Sequence, residues 1–225
     1  MILTKRNEIL KRWTEHFKEL LNKENNDLQC IINNNDYRNV DHDDIDEPTE
    51  EEIRDVITGL KKNKAPGMDC IQSELLQSSI KELTQDILIK DIWTQEMIPD
   101  DWKVEVICPL HKKGDQMICS NYRGITLLNT TYKIFSRILH NRLLPYTERA
   151  IGNYQAGFRS GKSTIDQIFI LRQIIEKTYE QNIETHHLFV DFSTVYDSIN
   201  RAELYNAMVE LNIPKKHVWM TISVK

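Results

Sequence analysis

Nowhere in the 225 residues does an apolar run approach the length of about 18 that a membrane-spanning helix needs, so no membrane partner is expected. The N-terminus, MILTKRNEILKRW, lacks both an uninterrupted apolar stretch and a small-residue cleavage site, which excludes a secretory signal. Cysteine is scarce and unpaired in pattern. Cys30, Cys70, Cys108 and Cys119 form no CxxC and keep no metal-ligand spacing with the seven histidines. Free thiols in a reducing compartment follow, with the nucleus or cytoplasm as the expected intracellular location. No segment repeats. What remains is 40% apolar residues with four tryptophans, enough for one good-sized domain or one domain with a helical arm.

The net charge of −5 argues mildly against a nucleic-acid partner until the charges are located. Residues 36–55 hold ten acidic side chains against Arg38 and Arg54, whereas residues 102–162 hold ten Lys or Arg against Glu105, Asp115 and Glu148. The middle of the chain is therefore strongly basic and its acidic neighbour hides this in the total. Such asymmetry suggests a polyanion partner; the alternative is a solvated face balanced by that neighbour.

Apolar spacing organises the rest. Ile9, Trp13, Phe17 and Leu20/Leu21 form a stripe on a first helix, followed by a polar, Asn/Asp-rich linker. A second helix starts at PTEEEI, where Thr49 and Glu52 make a capping box and Ile53, Val56, Ile57 and Leu60 supply the buried face. KKNKAPGMD ends it, and a third helical segment is predicted over 73–93. VEVICPL places Val104, Val106, Cys108 and Leu110 on one face of a half-buried strand, with YRGITLL as its partner and Trp102 in the core. Helices follow around Ile134–Leu143 and Ile165–Ile175. HLFVDF then reads as a short buried strand ending in Asp191, and a last helix begins near Asn200. The order predicts an α+β fold.

AGFRSGKST, residues 156–164, satisfies the loose form of a phosphate-binding loop. A working loop follows a buried strand and opens a helix, so that backbone N–H groups surround the phosphates. The preceding PYTERAIGNYQ has no apolar strand, which leaves a nucleotide hydrolase as the weakest reading, even with LFVD (188–191) as a conceivable Mg²⁺-holding strand.

Four blocks carry a resemblance: APGMDCIQSELLQ (65–77), WKVEVICPLHKKGDQMICSNYRGITLLNTTYKIFSRILHNRL (102–143), QAGFRSGKSTIDQIFILRQIIEK (155–177) and LFVDFSTVYDSINRAEL (188–204). In order, spacing and content they resemble the reverse transcriptase of LINE-type (non-LTR) retrotransposons, in particular endonuclease–reverse transcriptase polyproteins. The resemblance implies a partial right-hand polymerase: a helical arm and polar linker over 1–47, a helical extension over 48–98, and fingers with the first palm strand over 99–225. It also implies RNA-directed DNA polymerisation by two metal ions, Mg²⁺ with Mn²⁺ as a substitute, on an RNA template, a DNA primer and deoxynucleoside triphosphates. Asp191 matches the first catalytic, metal-binding aspartate, with the Phe192 carbonyl beside it. Tyr196 matches the aromatic that excludes a 2′-hydroxyl, and the amides of Thr194 and Val195 face the triphosphate; Asp197 is assigned a structural or capping role. Arg123 and Lys133 match residues that hold the triphosphate. Lys112 and Lys113 lie near the template, and Gln155, Phe158 and Arg159 support its path. The bland alternatives are that Asp191 caps the helix behind it, Tyr196 is core and the basic residues are solvated.

Two departures stand out. No Tyr/Phe-x-Asp-Asp motif follows Asp197, and Val195 stands where the family usually has alanine. The sequence therefore reads as a polymerase domain truncated before its second acidic motif and inactive by itself, or as a non-catalytic nucleic-acid-binding remnant.

Overall fold

The computed structural model describes residues 3–21, 45–80, 88–104, 106–192 and 199–223. The Asn/Asp-rich linker, the middle of the third predicted helical segment, and Thr194, Val195, Tyr196 and Asp197 lie outside the described residues. In chain order the elements are α1 (Arg6–Leu21), α2 (Glu50–Thr58), α3 (Ser73–Ser78), α4 (Leu88–Gln95), β1 (Val106–His111), β2 (Tyr122–Leu127), α5 (Thr130–Ala150), α6 (Thr164–Glu180), α7 (Arg201–Glu210) and α8 (Lys215–Ser223). The mixture of helices and a small antiparallel sheet agrees with the α+β expectation.

Helix α5 is the spine. Its first half buries Tyr132, Ile134, Phe135, Ile138 and Leu139 against Ile53, Val56 and Ile57 of α2 and Trp93 of α4, with Trp102 edge-on to Tyr132 at 5.6 Å between ring centroids. Its second half offers Leu143 and Tyr146 to a smaller core of Tyr205, Met208, Ile213, Val218 and Ile222. The apolar positions recur at three and four residues, so both cores draw on faces that the sequence pattern marks. Helix α8, which closes the second core and sends Met220 into the first, has no counterpart among the sequence expectations.

The junction between residues 67–71 and the start of α5 is tight. Asn129 is the N-cap residue of α5, yet its side chain makes no cap bond. It instead accepts from the Asp69 N–H (3.4 Å) and donates to the Asp101 carbonyl (3.2 Å). The cap comes from across the loop: the Asp69 carboxylate accepts from the Thr130 N–H at 3.1 Å, and the Thr130 hydroxyl donates to the Ile71 carbonyl at 2.5 Å. Gly67 makes this approach possible, since a Cβ there would lie 2.4 Å from Asn129 Oδ1 and 2.5 Å from the Asn129 nitrogen.

Helix α2 starts as expected on Thr49, whose hydroxyl accepts from the Glu52 N–H at 3.1 Å. The reciprocal half of the capping box is replaced. Glu52 reaches Arg142 of α5 through two bonds of 2.8 Å, and the same guanidinium donates to the Asp46 carbonyl and lies 4.7 Å above the Trp93 ring. This pairing holds the Glu52 carboxyl below its ordinary value. His217 packs edge-on to Trp93 beside this pair, and burial, followed by the positive Arg142, lowers its pKa to about 4.

Three expectations need correction. The single segment over 73–93 resolves into α3 and α4 with residues 81–87 undescribed between them. On β1 most of the face expected to be covered turns outward: Cys108 and Leu110 are exposed, as is Val104 just before the strand, and only Val106 is half-buried, while Ile107, Pro109 and His111 on the other face are half-buried. A period-two pattern with apolar residues at both parities does not say which face is covered; here Phe17 of α1 lies over Gly124 and Trp13 meets Tyr122 at 4.8 Å, which decides it. HLFVDF is not a strand. Residues 183–192 have no regular structure and their side chains are exposed, because among the described residues no strand lies beside them to complete a ladder.

Two outcomes follow. Gly67→Ala should cost about 1–3 kcal/mol in urea unfolding, the usual scale of overpacking, because backbone rather than a flexible side chain must yield; equal stability would show that the approach is looser than described. His217 has a folded-state pKa below the ordinary 6.5, so its stabilisation is complete above pH 6.5 and is withdrawn as pH falls toward 4. At about 1.4 kcal/mol per pH unit the loss approaches 3 kcal/mol. His217→Phe, measured by urea unfolding at pH 7 and 4.5, should remove most of that acid sensitivity, leaving the lower limb that Glu52 supplies below its ordinary value of 4.5.

Candidate nucleotide and nucleic-acid interface

The β1–β2 hairpin pairs Val106 with Leu127 at its base and His111 with Tyr122 near its tip. Its connection is tied down from within. Asn121 Nδ2 donates to the Asp115 carbonyl at 2.8 Å, Asp115 Oδ1 accepts from the Met117 N–H at 2.8 Å, and Gly114 takes φ +82°. Lys112 and Lys113 project from this ordered tip and are exposed. Arg123 sits opposite Leu110 in register, on the exposed face away from α1. No ion pair neutralises Lys112, Lys113 or Arg123 among the described residues.

Lys133 lies one turn into α5, directly after the Asp69–Thr130 junction that fixes the helix start. Its Nζ is 3.4 Å from the Ala65 carbonyl. It lines an open cavity of about 360 Å³ together with Lys61, Lys64, Thr126 and Leu127, and a neighbouring cavity of about 430 Å³ together with Lys61, Arg137 and Asp55. Sequence reasoning did not single out Lys61, Lys64 or Arg137. The lysine run of KKNK was a signal, but what holds it in place was not visible. The Gln77 amide donates to the carbonyls of Ile57, Thr58 and Leu60 at the C-terminal end of α2, and Glu74 accepts from the Asn63 N–H at 2.5 Å. Asn63 takes φ +57°, a left-handed conformation asparagine tolerates.

The 151–163 loop behaves differently. Arg159 faces inward: it pairs with Glu148 of α5 through two nitrogens and donates to the carbonyls of Gly152 (2.8 Å) and Gln155 (3.3 Å). Its guanidinium therefore staples the loop to the end of α5. Gln155 is exposed, with Nε2 donating to the Gly157 carbonyl at 3.3 Å, and Phe158 is 98% exposed at φ +60°. The phosphate-loop reading fails here on geometry. Residues 156–164 follow helix α5 rather than a strand, although Ser163 does cap α6 by accepting from the Ile165 N–H.

Asp191 and Phe192 are exposed at the end of the irregular segment 183–192. Among the described residues no three His, Cys, Asp or Glu side chains converge, so Asp191 stands as one carboxylate and the described residues do not assemble a two-metal centre. The structure thus brings Lys133 and the 61–64 loop together, places Lys112, Lys113 and Arg123 on one hairpin, and leaves Asp191 apart from both.

No helix of the described residues is long and apolar enough to cross a membrane. Residues 110–224 match the family model described as reverse transcriptase (RNA-dependent DNA polymerase). Among curated proteins, the chain is 29% identical over 154 residues to the "Probable RNA-directed DNA polymerase from transposon BS" of Drosophila melanogaster, covering 66% of this chain and 17% of that protein. It is 26% identical over 156 residues to the RNA-directed DNA polymerase from mobile element jockey of the same organism, covering 67% and 17%. It is 24% identical over 162 residues to the transposon TX1 uncharacterized 149 kDa protein of Xenopus laevis, covering 71% and 12%. The chain therefore spans less than a fifth of the length of these relatives. The four sequence blocks, the hairpin they build and the family match converge: the chain belongs to the reverse transcriptase family, and its resemblance to the polymerases of non-LTR retrotransposons is borne out.

Proposed function

We propose that this chain is the template- and nucleotide-handling part of an RNA-directed DNA polymerase. The observation that carries the reading is the family match over 110–224 joined to an unneutralised basic surface at Lys112, Lys113, Arg123 and Lys133. Phosphates of the template and of the incoming deoxynucleoside triphosphate are the polyanions such a surface suits. Residues 99–225 form the fingers and the start of the palm, with 48–98 as a helical extension. LFVDF is rich in β-branched and aromatic residues and becomes a palm strand when a neighbouring strand pairs with it. Asp191, with the Phe192 carbonyl, is one ligand of a divalent-ion centre for Mg²⁺ or Mn²⁺ whose remaining carboxylates belong to the second acidic motif of the complete polymerase. Tyr196 excludes ribonucleotides, and the amides of Thr194 and Val195 face the triphosphate. Gln155 shapes the template path from the loop that Arg159 staples in place.

The test is a fusion of residues 1–223 to the downstream polymerase region of a jockey-type relative, which keeps α8 packed on α7. The fusion should extend a DNA primer on an RNA template with Mg²⁺. Asp191→Asn, which keeps size and removes charge, should cost on the order of 10³-fold or more in rate, the scale of losing an essential charged group. Tyr196→Ala should admit ribonucleotides, and Val195→Ala should speed extension if the branched side chain crowds the triphosphate. A fusion that polymerises equally well with Asn at 191 would sink the assignment.

In the unfused chain, replacing Lys112, Lys113, Arg123 and Lys133 by Ala should weaken RNA binding and flatten its salt dependence by roughly 0.7–0.9 in log–log slope per lost phosphate contact. A slope unchanged by all four substitutions would place the contact surface elsewhere.

A further inference from the structure

The two cavities beside Lys133 adjoin, sharing Leu60, Lys61 and Lys133, with Lys64 lining one and Arg137 the other. Four cations line them against a single carboxylate, Asp55. Among the described residues no ion pair involves Lys61, Lys64, Lys133 or Arg137, and Lys61, Lys64 and Arg137 are exposed. Nearby carboxylates are committed elsewhere: Glu74 takes the Asn63 N–H, and Glu52 takes Arg142. Lys133 donates to the Ala65 carbonyl, but like charges gathered without an ion-pair partner repel one another, which makes a structural role a poor account of Lys61, Lys64 and Arg137. Nor is their placement loose, since Gln77 and Glu74 pin the 59–64 loop to α3 and the Asp69 cap pins the start of α5.

We infer that Lys61, Lys64 and Arg137 form, with Lys133, a track for the phosphodiester backbone of a single nucleic-acid strand, running along the base of the hairpin and adding to the contacts at its basic tip. The inference rests on the proposed nucleic-acid reading and extends it to residues outside the matched segment, since Lys61 and Lys64 precede residue 110. Length decides between a strand and a lone triphosphate. A triphosphate is compact, whereas cations spread along two adjoining cavities suit successive phosphates of a chain. A strand held this way needs no base-edge contacts, so binding is expected to be indifferent to sequence.

The experiment measures binding of the full chain to a fluorescent single-stranded RNA oligonucleotide by anisotropy across 50–200 mM salt. The combined K61Q/K64Q/R137Q variant should bind at least tenfold more weakly at 100 mM and lose roughly 2 from its log–log salt slope, about 0.7 per single-strand contact. Its thermal midpoint should stay level or rise, because repulsion is relieved; a merely structural role would lower it. The charge-keeping K61R/K64R/R137K variant should retain the full slope. If the unaltered chain binds no RNA, the nucleic-acid reading itself fails. If it binds and the glutamine variant keeps its slope while changes at Lys112, Lys113 and Arg123 abolish it, only the present inference fails. Inorganic tripolyphosphate separates the remaining source: should the glutamine variant lose tripolyphosphate binding and keep strand binding, the two cavities are a triphosphate cradle and the inference is overturned.

Discussion

The close approach of Gly67 to Asn129 is the constraint on which the rest of the structure depends. A helix start is electrostatically incomplete, with N–H groups that need acceptors and a positive end that favours a carboxylate. In α5 the residue at the cap position has turned its side chain to other work, bridging Asp69 N–H and Asp101 carbonyl, and Asp69 supplies the missing acceptor from sixty-one residues away in the chain. That exchange is possible only because position 67 has no side chain. The consequence reaches beyond stability. The same contact sets where α5 begins, and therefore where Lys133 stands relative to the 61–64 loop and to the base of the hairpin.

A second device fixes the other half of the spine. Arg142 meets Glu52 through two bonds, takes the Asp46 carbonyl, and stacks over Trp93, so a single guanidinium joins the start of α2, the face of α4 and the middle of α5. A lysine at this place would supply a point charge without the planar fork. His217 sits against this assembly as a neutral ring, because burial and the adjoining guanidinium both oppose its protonation. Stability in acid is thereby tied to the same junction that joins the two cores.

What was legible in the sequence follows a physical line. Local signals were read well. The Thr49 cap, the buried face of Ile53, Val56 and Ile57, the hairpin partners and the stripe of Ile134, Ile138 and Leu139 each depend on neighbours a few residues apart. Signals that depend on what lies across from a segment were not. LFVDF has the composition of a strand, but a strand is a pairwise object. The outward turn of Cys108 and Leu110 was decided by Phe17, ninety-odd residues earlier. At the candidate site, Lys133 and Arg123 came from resemblance, whereas Lys61, Lys64 and Arg137 needed the fold. The motif around Gly67 shows the difference in one stretch: APGMD ends a helix as any turn would, and only the structure reveals that its aspartate caps another.

The charge pattern gains its meaning from the same geometry. Ten basic residues between 102 and 162 suggested a polyanion surface when counted. The structure divides them by task. Lys103 pairs with Asp100, Arg142 with Glu52 and Arg159 with Glu148, and the last two of these join separate elements rather than decorate the surface. The acidic stretch upstream is not simply a counterweight, since Glu52 takes Arg142 out of the basic set and into the core junction. Lys112, Lys113, Arg123, Lys133, Arg137, Arg149 and Lys162 are left without an ion-pair partner among the described residues, on the hairpin, on α5 and on the loop after it, and the Arg142 and Arg159 pairs and the Asp69 cap help to fix that helix and loop. Net charge therefore describes this chain poorly: between 102 and 162 the Arg142 and Arg159 pairs build the scaffold, and the unpaired charges it presents are predominantly basic.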